Sequence, residues 1–249
     1  MDAIATYALR LGDDSLILGQ RLSEWCGHAP ALEVDLSLAN VALDQVGQAT
    51  HFLNLAGELE GEGRDGDALA FRRDVMDFTN CLLVEQPNGD FAQTIARQLL
   101  FSHYQELLFT ALMRSKNATI AAIAAKAVKE TSYHATLASD WVVRLGDGTD
   151  ESKTRMIAGL DWMWRFADEL FVMDDVDAAA MKAGVGIDKA ALRAAWDARI
   201  DATLAEATLA RPAPRRATTG GRIGRHSEHL GHLLSDMQFL QRAYPGATW

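Results

Sequence analysis

The chain has 249 residues, of which 49% are hydrophobic and 23% charged, enough apolar material for a sizeable core and not the make-up of a disordered or low-complexity protein. Thirty-four acidic against 24 basic side chains give a formal net charge of −10, a sign that opposes general binding to nucleic acid or to an anionic membrane. Cys26 and Cys81 have no paired spacing to suggest a disulfide framework or a zinc ribbon, "MDAIATYALRLGDD" lacks the basic-then-apolar pattern of a signal peptide, and no apolar run is long enough for a bilayer, so a soluble, cytoplasmic protein is expected.

Helical periodicity runs through the chain with no sustained strand-like alternation. The spacing predicts a first helix over about Thr6 to Trp25, stopped by "GHAPAL", where Pro30 bars continuation. A long helix follows over about Glu33 to Leu59, broken by the glycines and charges of "EGEGRDGD". A shorter helix is predicted over Ala68 to Leu83, ended by "EQPNGD". Two more long helices are expected over Phe91 to Arg114 and Thr119 to Leu145, with "SKNA" between them and "GDG" as the stop. Two long hairpins joined by a crossover of roughly thirty residues make an all-α, ferritin-like four-helix bundle. Three further helices are expected in "ESKTRMIAGLDWMWRFADELF", "IDKAALRAAWDARIDATLAEATL" and "HSEHLGHLLSDMQFLQRAY". The whole reads as one ferritin-like domain over 1–249, with a core at about 6–145 and accessory C-terminal helices with a basic loop at about 150–249.

The dimetal version of this bundle takes one Glu from each of two helices and a Glu-x-x-His pair from each of the other two. In "AVKETSYHATLASDW", Glu130 and His134 share the stripe Ile123, Ala127, Glu130, His134, Leu137 and Trp141. The residue three after Glu130 is Tyr133, however, and moving the imidazole one position on turns it by about 100°. Across the preceding turn, Glu130 faces Ser102 or His103 where a glutamate is needed, and Glu106 lies a turn away. In the first hairpin Asp44 is the natural carboxylate, but Gly47 follows three later and cannot ligate; the opposite position is near Asp14 or Ser15. A reactive dimetal centre is therefore not expected. A buried hydrogen-bonded polar cluster is expected in its place, with Arg21, Arg97 and Lys126 as candidate neutralising cations. The residues keep open a second reading, a stand-alone metal-carboxylate oxidoreductase on the altered set Asp14, Asp44, Glu130 and His134.

Other candidate chemistry is sparser. His226, His229 and His232 recur every three residues at the start of a helix and read as capping or interface groups. Cys26 reads as a buried structural thiol. "TTGGRIG" follows no strand, so it is not a dinucleotide fingerprint. Trp162, Trp164 and Phe166 point to different faces of one helix, which must be deeply buried or covered by a partner. The loop "ARPAPRRATTGGRIGR" concentrates Arg211, Arg215, Arg216, Arg222 and Arg225 in an acidic chain; it is either a solvated surface or a contact for an acidic partner or a phosphate-bearing ligand.

Several long stretches, in order, carry a resemblance: "LGDDSLILGQRLSEWCGHAPALEVDLSLANVALDQVGQA", "VEQPNGDFAQTIARQ", "KETSYH", "WRFADELF", "TTGGRIGRHSEHLG" and "MQFLQRAYPGATW". They span about Leu11 to Trp249 and resemble the family of the C component, the structural ferritin-like subunit, of the bacterial phenylacetyl-CoA 1,2-epoxidase. The resemblance implies a non-catalytic structural member of a multicomponent diiron monooxygenase of aerobic phenylacetate degradation. It implies as partners a homologous catalytic oxygenase subunit, which holds the diiron centre and the substrate, together with a second, small subunit, and a reductase with FAD and a 2Fe–2S cluster. It implies no cofactor in this chain and only indirect contact with phenylacetyl-CoA. No catalytic residue carries over, because the catalytic subunit's ligand set has no match at Gly47, Ser102 or Tyr133.

Overall fold

A computed structural model describes residues 2–247; Met1, Thr248 and Trp249 lie outside the described residues, and with them the last two residues of the quoted C-terminal motif. The described regular structure is entirely helical. Its contacts gather into two compact units, one of Met1–Gln86 with Gly220–Trp249 and one of Pro87–Thr219.

The first unit is built on a long antiparallel hairpin of α1 (Ala3–Ser23) and α2 (Leu32–Glu60). Asp2 caps α1 by accepting from the Ile4 N–H, and α2 ends at Gly61, whose φ of 72° is the left-handed turn that glycine allows without strain. The buried face of α2 carries Val34, Leu38, Val41, Gln45, Gln48, Phe52 and Leu55, alternating by four and three residues, the spacing of a seam between two long helices. At Gly12 of α1 the helices come so close that a Cβ there would stand 2.7 Å from the Leu53 Cδ2. Cys26, in the turn between the two helices, is exposed rather than buried, and Cys81 is the buried thiol.

The single helix expected over Ala68 to Leu83 is instead two short pieces, α3 (Gly66–Phe71) and α4 (Leu82–Glu85), with a 3₁₀ turn at Val75–Asp77 between them. The reason is electrostatic. The Thr79 and Cys81 amides donate at 2.8 Å to the carboxylates of Asp13 and Asp14 inside α1, so they are not available to a helix of their own.

The second unit is built on the antiparallel hairpin of α5 (Phe91–Leu112) and α6 (Ala118–Gly146), capped by Asp90 and Asn117. α7 (Asp150–Ala167) lies against α5, with the Gly159 backbone on Gln93. The short α8 (Asp175–Lys182), not foreseen in the sequence, is fixed by a capping box between Asp174 and Asp177. α9 (Arg193–Glu206) lays Trp196 fully inside, its Nε1–H donating to the Leu100 carbonyl at 2.9 Å. Trp164 and Phe171 surround that indole, with centroids 5.9 and 5.2 Å away. Of the aromatics in "WMWRF", Trp164 and Phe166 are buried; Trp162 is 37% exposed and covered by the Arg165 guanidinium at 4.4 Å.

The chain returns to the first unit at Gly220, and α10 (Glu228–Ala243) follows there. These elements are those of the all-α, ferritin-like class. No helix among the described residues is long and apolar enough to cross a membrane.

Candidate functional site

Both hairpins bury a polar pair at spacing three on their second helix. On α2 it is Gln45 and Gln48, 1% and 2% exposed; on α6 it is Thr131 and His134, 0% and 2% exposed. These are the positions at which a Glu-x-x-His pair would project inward. The sequence reading placed the pairs one residue away, on Asp44 with Gly47 and on Glu130 with Tyr133. Asp44 and Gly47 are half-buried, and Tyr133 is 50% exposed. Glu130 turns toward Lys126, 3.8 Å away on its own helix. On α5, Ser102 and Gln105 are buried. The buried stripes themselves carry the missed signal: Val34 to Leu55 on α2, and Ile120, Ala124, Ala127, Thr131, His134, Ala138 and Val142 on α6.

The donor set does not fit a dimetal centre. Amides and hydroxyls hold five of these buried positions, Gln45, Gln48, Ser102, Gln105 and Thr131, with His134 the one imidazole, and a pair of iron ions requires carboxylate charge. Among the described residues no three His, Cys, Asp or Glu side chains converge to hold an ion.

Asp14 is the carboxylate that α1 offers, and it is fully engaged in the first unit. Arg222 donates to its Oδ2 at 2.7 Å and to its Oδ1 at 3.0 Å, and the Cys81 N–H adds a bond to Oδ1 at 2.8 Å. Next to it, Asp13 is held by Arg73 on both oxygens and by the Thr79 N–H and hydroxyl at 2.8 and 2.9 Å. Glu85, the third buried acid, accepts from the Ser227 N–H at 2.6 Å, His226 Nδ1 at 2.7 Å and Asn80 Nδ2 at 2.9 Å. Each acid therefore has its own cation, and two of the three cations come from one stretch of chain, Gly220–Ser227. A pair lacking either member would strand a buried charge at a cost of several kcal/mol.

These buried ion pairs lie on Asp13, Asp14 and Glu85, and the cations named from the sequence are engaged elsewhere. Arg21 donates to the Glu85 and His229 carbonyls and to Glu24. Arg97 donates to the Asn88 side chain at 2.7 Å. Arg222 lies 208 residues from Asp14, and no local pattern in the sequence could match the two. His226 is an ion-pair member rather than a cap.

The remaining basic-loop arginines divide in two. Arg211 pairs with Asp197 and Asp201, each at 2.7 Å, and Arg215 with Asp161. Arg216 and Arg225 are exposed and pair with no carboxylate among the described residues.

In the second unit, His103 Nε2 lies 2.9 Å from the Ser139 hydroxyl, and Glu106 is paired with Arg199. Burial first, and the Arg199 charge second, push His103 down to about 4 against the opposing pull of Glu106, so the imidazole is neutral near pH 7.

Over residues 1–249 the chain matches the family described as phenylacetic acid catabolic protein. It is also 52% identical to the C component of the 1,2-phenylacetyl-CoA epoxidase of Escherichia coli (strain K12), over the full length of both chains. With its helical architecture and this full-length similarity, the chain belongs to the phenylacetic acid catabolic protein family.

Proposed function

We propose that the chain is the non-catalytic subunit of a multicomponent monooxygenase that epoxidises phenylacetyl-CoA in phenylacetate degradation, and that it supports a homologous oxygenase chain in which the diiron centre and the substrate are held. The observation that carries this reading is the engagement of Asp14, whose two oxygens are taken by Arg222 and Cys81. A carboxylate held by a guanidinium fork is a structural group, not a ligand in waiting. The partners of this reading are that catalytic oxygenase chain, a further small protein of the complex, and a reductase with FAD and a 2Fe–2S cluster, with phenylacetyl-CoA met only through the complex.

The face of α2 turned away from α1 suits such a partner. Leu36, Asn40, Leu43, Gly47 and Thr50 recur by four and three residues without a charge, and Leu36 and Leu43 are 57% and 69% exposed. A Cβ at Gly47 would meet nothing within 4 Å in this chain, which leaves room for a bulky side chain of another helix. A long helix docked there would be held in register along its length, and with it any ligands that it carries.

Co-expression and pull-down with metal quantification on each recovered protein tests the reading. Iron should follow the partner, and Leu43→Arg should abolish co-purification while leaving the chain folded. Stoichiometric iron and dioxygen-dependent turnover in this chain alone would overturn it. Arg216 and Arg225 are the arginines left for a contact between subunits or for a coenzyme A phosphate. Replacing both with Ala should weaken assembly or raise the KM for phenylacetyl-CoA; no change in either would assign the loop to solvent.

A further inference from the structure

The segment from Gly220 to Ser227 is shaped for close seating in the first unit. A Cβ at Gly221 would collide with the Asn80 carbonyl, and one at Gly224 with the Met76 carbonyl. Gly220 and Gly224 have φ of 141° and 73°, in the region that glycine tolerates. The segment is then fastened by charge: Arg222 to Asp14, and His226 to Glu85.

The two fasteners differ in kind. Arg222 cannot lose its proton in the range where proteins work, whereas a histidine can. The side chains of His226 and Glu85 are 1% and 0% exposed. His226 Nδ1 lies 2.7 Å from Glu85 Oε2, and Nε2 lies 2.8 Å from the Phe78 carbonyl. With Glu85 as its carboxylate both partners accept, so both ring nitrogens donate and the ring is the cation. Loss of either proton sets a nitrogen lone pair against a carboxylate or a carbonyl oxygen. The Glu85 charge would keep only Asn80 and the Ser227 amide.

We infer that the Glu85–His226 pair is a protonation latch: with both ring protons in place it holds the stretch between Arg222 and His229 down, and with one lost to solvent it lets that stretch lift. The surrounding charges fit this. Burial lowers the His226 pKa, but the hydrogen bond and charge of Glu85, the Phe78 carbonyl and the charge of Asp13 outweigh it, and the net direction is up from 6.5. Arg73, bound to Asp13, lies over the Phe78 ring at 4.1 Å. Arg21, from α1, holds the Glu85 and His229 carbonyls. On the segment itself Arg222 is committed to Asp14, and Arg225 and Glu228 are exposed. Neither the Arg222 nor the Arg21 tether titrates with the histidine, so opening is confined to the stretch between Arg222 and His229. The sign follows from linkage: a raised folded pKa stabilises the closed segment fully below the unfolded value and loses that contribution as pH rises through the folded value.

The test uses the full-length chain alone, so its outcome is independent of any partner. Nitrogen-detected NMR of the histidine ring should show both His226 nitrogens protonated at neutral pH. Hydrogen exchange at the Ser227 amide, corrected for its intrinsic pH dependence, should accelerate by up to about tenfold per pH unit between about 6.5, the free-histidine value, and the His226 transition, the slope of one released proton, and should level off above that transition. His226→Gln should exchange fast at every pH with no such slope. Glu85→Gln, which keeps the histidine and removes the anion, should move the transition to lower pH. A ring that titrates at or below about 6.5 in the unaltered chain, the free-histidine value, or a Ser227 slope that survives in His226→Gln, refutes the latch.

Discussion

Asp13 and Asp161 show how differently the same chemistry weighs in two settings. Asp13 and Arg73 have side chains 0% and 4% exposed, and Asp13→Ala strands a guanidinium out of water. Chemical denaturation should report a loss of about 3–5 kcal/mol. Asp161→Ala, which removes the half-exposed partner of Arg215, should lose at most about 1 kcal/mol by the same measurement. His103 supplies a pH dependence of the other sign from His226. Its folded pKa of about 4 lies below the ordinary 6.5, so the unfolded chain binds the extra proton between the two values. Stability should therefore fall as pH drops through that window, by up to about 3 kcal/mol, and His103→Gln should flatten that acid limb in thermal unfolding curves. Residue identities at this scale were visible in the sequence; their partnerships were not. The register of the ligand-like pairs turned on one position: the buried stripe of α6 passes through Thr131 and His134, and one residue of offset rotates a side chain by about 100° onto another face.

At the scale of elements, the long helices follow from periodicity and caps, and their observed ends lie within a few residues of those expected. α3 and α4 do not, because the side chains of Asp13 and Asp14 claim the Thr79 and Cys81 amides from outside the segment. Local propensity loses there to two carboxylates on another helix. α2 offers a contrasting test. Gly47 lies mid-helix with open space where its Cβ would be, so Gly47→Ala should stabilise the isolated chain by about 0.5–1 kcal/mol. A rise in the urea midpoint checks this. A fall would mean that the backbone at Gly47 needs glycine for a reason within the chain.

For the whole molecule, the C-terminal segment is an integral part of the first unit although the second unit intervenes in sequence. Limited trypsin cleavage after the exposed Arg215 or Arg216 should give a nicked protein that still elutes as one species, because Arg222, His226 and Gln238 bind the C-terminal fragment to Asp14, Glu85 and the Ala70 and Arg73 carbonyls. Separation of the fragments in native gel filtration would contradict this anchoring. The sequence by itself determined that the chain is helical and where its long hairpins turn, since these depend on periodicity and turn residues. Only the tertiary structure decided that Arg222 answers Asp14 and His226 answers Glu85. Those pairs join residues 208 and 141 positions apart, and burial strength, protonation and register depend on which groups the folded path brings within about 3 Å of each other, a distance that no local pattern encodes.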